Sequence, residues 1–276
     1  MSYEQIRYEP GRVARVVLAR PDFRNAQSAV LLQEVDDALM QAAADPDMRV
    51  IVLSGEGDAF SSGHDLGTPS QVAWREEHWG DATAIEDHFA YSWDHFVQIS
   101  LRWRDIPKPT IAQVHGWCIF GGWLVASSMD LIVAADDARF MTALLQYFPL
   151  PFDVGPRKAK ELLFDSHEIS AQEALDLGFV NKVVARADLE AETSALAERI
   201  ARNNGFYLRM AKLSVNQAQD AMGFRTAIQG AHSHYMLSQL ANAEWGRRRA
   251  KERGEAYEDP GRRLPLVQRM LDDSGQ

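Results

Sequence analysis

The chain has a single cysteine, Cys118, among 276 residues. No internal disulfide is possible, and the apolar flanks from Val114 to Trp123 predict a buried thiol in a reducing compartment. No window approaches the 18 or so consecutive apolar residues that a membrane span needs. Met1–Pro10 carries Glu4, Arg7 and Glu9 and has no apolar centre, so no secretory leader is expected and a cytoplasmic location is. Positive charge is also short. With 29 Lys+Arg against 39 Asp+Glu the net charge is −10, which excludes bulk attraction to nucleic acid or an anionic membrane. A Walker loop, zinc-ligand spacing, Gly-x-Gly-x-x-Gly and Gly-x-Ser-x-Gly are all missing, so no metal or resident cofactor is expected.

What is present alternates between strand and helix. Val13–Leu18 is β-branched and apolar, and Val50–Leu53 is a short continuous apolar run of the kind buried on both faces. Between them, Val30, Leu31, Val35, Ala38, Leu39 and Ala42 recur at three- and four-residue steps and predict a helix from Gln27 to Ala44. Thr110–Val114 and Asp130–Ala134 read as further buried strands, so a mainly parallel α/β sheet is expected. After about residue 156 the pattern turns helical. Ser170 and Glu173 form a capping box for a helix at Ala171–Gly178, and helices follow at 188–203, 207–220 and 224–249.

Two glycine-bearing turns stand at carboxyl ends of predicted parallel strands, where α/β folds place ligands. One is Ala59-Phe-Ser-Ser-Gly63-His64-Asp65-Leu66. The other is His115-Gly116-Trp117-Cys118-Ile119-Phe120-Gly121-Gly122. A helix beginning near Gly121 would leave free N–H groups there. Thr68–Trp103, rich in tryptophan and histidine, interrupts the alternation and is a candidate lid.

Together these turns resemble the crotonase (enoyl-CoA hydratase/isomerase) superfamily. Further matches are Arg20-Pro21-Asp22-Phe23-Arg24-Asn25-Ala26, Pro107-Lys108-Pro109, and Ile169–Leu175 followed by Gly178-Phe179-Val180-Asn181. The resemblance implies a spiral of β-β-α units over residues 1–200. A helical C-terminal region, 201–276, would then build homotrimers, often paired into hexamers. It implies an acyl-CoA thioester substrate, CoA being part of the substrate, and a place in metabolism such as that of fatty acids. The thioester oxygen would be held as an enolate by the backbone N–H groups of His64 and Gly121. Phe23, Arg24, Ala26, Ser62, Gly63, Asp65 and Leu66 would cradle CoA. Trp117, Ile119, Gly122, Leu124 and Leu144 would line the substrate pocket.

The sequence departs from the family at the chemistry. Leu124 and Leu144 occupy the places of the two glutamates that position water in hydratases, and leucine can neither accept nor donate a proton. Replacement acid/base candidates are the His64 side chain, Glu86 and His88 in the lid, and Asp153 between Phe152 and Val154. Three readings follow: a lyase- or isomerase-class acyl-CoA enzyme with unusual acid/base groups, a non-catalytic acyl-CoA-binding homologue, or a C–C bond hydrolase of the same fold.

Overall fold

The expected apolar strands form, and their alternation serves two cores at once. In β3 (Val50–Gly55), Ile51 and Leu53 face one core while Val50 and Val52 face the other. The same division runs through β4 (Thr110–Val114) and β6 (Leu131–Ala135), as a period of two requires. The computed structural model describes residues 3–79, 85–142 and 145–254. A six-stranded sheet has the order β1-β2-β3-β4-β6-β9, with β1 (Ile6–Glu9) antiparallel to β2 (Val13–Leu18) and the remaining pairs parallel. The strand β9 is Lys182–Val184.

A second, three-stranded sheet holds β5 (Trp117–Ile119), β7 (Arg139–Met141) and β8 (Ile169–Ser170). Two isolated parallel bridges, Gln27 with His64 and Ser61 with Cys118, extend this second layer towards the N-terminus. Each turn of the chain thus supplies a long strand, a short strand or bridge across it, and a helix. This is the spiral of β-β-α units of the crotonase fold.

The main core lies between the sheet and α1 (Ala29–Ala44), α4 (Ile99–Arg104), α5 (Gly121–Ser127), α7 (Pro156–Asp165) and α8 (Ala171–Asp176). Ser28 caps α1 by accepting from Leu31 N, and the capping box at Ser170 and Glu173 is present in full. The opposite face of the sheet is sealed by α9 (Leu189–Ala201) through Leu189, Ala197 and Ala201. Two helices follow. None of α10 (Gly205–Ala221) is buried, and α11 (Phe224–Arg253) buries residues only in its first half, from Phe224 to Met236. Arg104 ties both back to the core. It donates to Asn216 O and Gln219, pairs with Asp220, and lies 4.3 Å over the Phe224 ring.

The lid contains α2 (Pro69–Trp79), α3 (Ile85–Ser92), and a π-helical segment, Trp93–Gln98, leading into α4. Helix therefore begins at Pro69, close to the start of the candidate lid segment. The π segment also breaks the regular α-helical spacing that would put Asp87-His88-Phe89 and Asp94-His95-Phe96 on one face. His88 is exposed and His95 is half-buried.

The Arg-Pro…Asn-Ala segment is a structural knot. Arg24 and Asn25 take left-handed φ values of 48° and 52°. Asn25 accepts from Arg20 N at 2.9 Å and donates to Ala59 O at 2.8 Å and Glu56 O at 2.9 Å. The Arg20 guanidinium is buried against Asp65, 2.9 Å away, and also meets Thr68 Oγ1. Burial works against the Asp65 charge. Hydrogen bonds from Thr68, Gly67 and Arg20 outweigh it and hold the carboxyl below its usual range. Arg20→Met would strand that carboxylate, and we expect a loss of about 3–5 kcal/mol in urea unfolding at pH 7.

Candidate functional site

The two glycine turns are in contact, side by side. Ser61 N donates to Trp117 O at 2.9 Å, and Ile119 N donates to Ser61 O at 3.2 Å. This pairing brings Gly63 against Gly121. A Cβ on Gly63, whose φ is +92°, would stand 2.9 Å from Gly121 N and 2.9 Å from Ile119 O. Only glycine allows that approach. The bridge to Gln27 uses Gly63 O and Asp65 N, at 2.7 and 3.0 Å, so the N–H of His64 points to the other side. Gly121 opens α5, where the first N–H groups have no acceptor within the helix. Among the described residues neither N–H has a hydrogen-bond partner.

The His64 ring lies beside this pair. Its Nε2 is 2.6 Å from Gln146 Oε1, its Nδ1 is 3.2 Å from Gln27 Oε1, and its ring lies 3.9 Å from that of Phe96, tilted by 34°. Burial, with the nearby Arg75 cation, pushes its pKa down to about 4 despite the Gln146 bond, so the ring is neutral at pH 7. The space enclosed by His64, Gly121, Leu124, Phe96 and Trp103 is about 10 Å³, room for no more than about one water. Leu124 lines it, as expected. Leu144 lies outside the described residues.

Phe23, Arg24, Ala26, Ser62 and Leu66 form one rim. Ser62 N donates to Arg24 O at 2.9 Å, while Phe23 and Leu66 are 46% and 58% exposed. Asp65 does not belong to that rim. Its carboxylate is turned inward, 3% exposed and already engaged by Arg20, Thr68 and Gly67. Ile119 is buried with Met141, and Trp117 is half-buried beside them. Gly122 packs against Ser61 O, leaving no space for a side chain.

The lid candidates Glu86 and His88 stand on an exposed helix face, and neither lines the cavity. His95 does line it. Its Nδ1 meets Tyr91 O at 3.1 Å, and burial lowers its pKa. Sequence reading passes it over because the π segment changes the helix register. Gln27, Gln146 and Ser92 were missed for another reason: polar side chains in loops and helix ends carry no periodic signal.

Asp153 ends α6 (Leu150–Asp153) beside Ser127, the last residue of α5. Its Oδ2 is buried with no hydrogen-bond partner. Burial pushes its pKa up to about 7, and the Ser127 hydroxyl, short of a hydrogen bond, offsets this only in part. Leu124, one turn earlier on α5, joins Tyr147 and Phe152 in a single apolar cluster. Leu124 thus links the cavity lining to the apolar cluster that contains Phe152, the chain neighbour of Asp153. A carboxyl with a raised folded pKa lowers stability as pH climbs from the ordinary carboxyl range through about 7. Asp153→Asn should match the parent near pH 4 and be more stable at pH 8 by on the order of 2–4 kcal/mol in urea unfolding.

The sequence profile of the enoyl-CoA hydratase/isomerase family matches residues 9–260. EchA13 of Mycobacterium tuberculosis, an enoyl-CoA hydratase by name, is 38% identical over 265 residues, covering 88% of this chain and 82% of its own. A 4-chlorobenzoyl coenzyme A dehalogenase from an Arthrobacter species is 33% identical over 68% of this chain and 69% of its own. Among solved structures, an enoyl-CoA hydratase by name from Mycobacterium thermoresistibile superposes with a TM-score of 0.77 at 41% identity. That match covers 84% of this chain and 95% of the other. The chain belongs to the enoyl-CoA hydratase/isomerase family.

Proposed function

We propose that the protein binds an acyl-CoA thioester and moves a proton along its acyl chain through an enolate, rather than adding water. The observation that carries this reading is the pair of unpartnered N–H groups at His64 and Gly121, with Leu124 in the wall beside them. Two preorganised donors in a dry site stabilise a developing oxyanion, each contributing roughly 10²–10³ in rate. The family's names include both hydration and dehalogenation, so membership alone does not choose the reaction.

The thioester oxygen accepts from both N–H groups. Asp153, ionised in part near neutral pH, takes a proton from the acyl chain as the C–H electron pair moves into the enolate. With a β,γ-unsaturated acyl chain the anion is a dienolate: the same carboxyl returns the proton to the γ-carbon, the double bond moves to the α,β position, and the thioester carbonyl re-forms. A pKa near 7 suits both roles. Glu86 and His88 take no part. The His64 ring stays neutral and serves shape. CoA enters and leaves as part of the substrate, held at the rim of Phe23, Arg24, Ala26, Ser62 and Leu66. No metal enters this reading, and among the described residues no helix is long and apolar enough to cross a membrane. Exposed Phe206, Tyr207, Leu237, Leu240 and Trp245 on α10 and α11 support a homotrimer or a homohexamer, which light scattering would report as three or six chain masses.

In D2O, a panel of β,γ-unsaturated linear, branched and arylalkyl acyl-CoAs should show exchange of the α-proton with at least one member. Asp153→Asn should slow that exchange by about 10²-fold or more. Crotonyl-CoA hydration at ordinary family rates would overturn the proposal. Tight thioester binding with no exchange would favour the non-catalytic reading, and failure to bind any thioester would favour a C–C bond hydrolase.

A further inference from the structure

A buried chain of hydrogen bonds runs from the His64 ring to α11. His64 Nε2 lies 2.6 Å from Gln146 Oε1, Gln146 Nε2 lies 3.4 Å from Ser92 Oγ, and Ser92 Oγ lies 3.1 Å from His232 Nε2. Gln146, Ser92 and His232 are 3%, 5% and 0% exposed. They come from the loop after β7, the end of α3 and the first half of α11, so the chain joins segments far apart in sequence.

From this geometry we infer that His232 is a positioning residue for the oxyanion site, acting through Ser92 and Gln146 to fix which nitrogen of His64 carries the hydrogen. The inference deepens the proposed enolate chemistry and rests on it for its meaning in catalysis, though not for its test.

Donor counting gives the chain a direction. The Gln146 oxygen can only accept, and at 2.6 Å it is nearer than the Gln27 oxygen at 3.2 Å, so His64 Nε2 donates to it. The Gln146 NH2 donates to Ser92 Oγ. Ser92 then has its own hydroxyl hydrogen to give, and His232 Nε2 receives it. Head-to-tail bonds of this kind polarise one another, and the low surrounding dielectric strengthens each. His64 Nδ1 faces the Gln27 Oε1 at 3.2 Å, while the Gln27 NH2 donates to Ser61 Oγ, so the neutral ring has an amide oxygen on each side and only one hydrogen to give. The Nδ1 edge of the ring abuts Gly121. The place where a Gly121 Cβ would stand is 2.8 Å from Nδ1 and 2.9 Å from Cε1 of His64. A change of tautomer or a ring rotation would therefore be felt at the peptide that supplies the second N–H.

Packing alone does not call for an imidazole at 232. The ring contacts Phe89 at 4.6 Å and Trp93 at 5.3 Å, both edge-on, and an apolar side chain would fill that space. Instead, its Nδ1 is buried without a hydrogen-bond partner, a penalty that only the bond at Nε2 offsets. Burial lowers the His232 pKa and keeps the ring neutral, as the accepting role needs.

The test is the ring 15N spectrum of His64, assigned by its loss in His64→Gln. The full-length parent should show one Nε2–H tautomer at pH 7. His232→Leu and Ser92→Ala should each convert it to a mixture, while His232→Gln, whose amide oxygen can accept from Ser92, should restore the single form. In the turnover found with the acyl-CoA panel, both breaking variants should lower kcat about 10-fold with KM nearly unchanged, through loss of alignment. An unchanged His64 tautomer in Ser92→Ala or His232→Leu overturns the inference whatever the activity. A tautomer that shifts in protein that turns over no thioester would uphold the chain and refute the enolate reading instead.

Discussion

The contact between Gly63 and Gly121 is the constraint on which the rest of this structure depends. Two turns from different levels of the spiral meet with no side chain between them, and the N–H groups of His64 and Gly121 are left without partners. Much of the surrounding structure holds that contact in place. The bridges Gln27–His64 and Ser61–Cys118 set the height of the first turn. The Asn25 and Arg20 side chains fix the loop behind it, and the Asp65 carboxylate, though adjacent to His64, is committed to that loop.

Desolvation acts in opposite directions on His64 and Asp153. It holds the His64 ring neutral far below its usual range and holds Asp153 protonated well above its own. One result is a neutral ring that can pack against the enolate site without adding charge. The other is a carboxyl that releases and regains a proton near neutral pH. The net charge of −10 repels CoA phosphates overall. Affinity must therefore come from local groups such as Arg24 and from backbone donors at the rim.

Much of this was legible from residue order. Apolar runs marked β2, β3, β4 and β6, and the two glycine turns marked the contact of Gly63 with Gly121, because only glycine fits a backbone that close. The short strands β5 and β7 carried too few residues for a periodic signal. The π segment escaped because sequence spacing assumes the α-helical turn, so spacing did not show that His95 lines the cavity while Glu86 and His88 face outward. The role of Asp65 was misassigned because adjacency to the turn says nothing of which way a side chain points. The chain from His64 to His232 depends on contacts across 54 to 140 positions, which spacing cannot encode.

The central claim is that the thioester oxygen lies between the N–H groups of His64 and Gly121. The most direct measurement is the infrared difference spectrum of a 13C=O-labelled acyl-CoA bound to the protein. Polarisation by two donors predicts a clear shift of the carbonyl stretch to lower frequency than in free solution. A bound thioester whose carbonyl frequency stayed at or above its value in water would contradict the account.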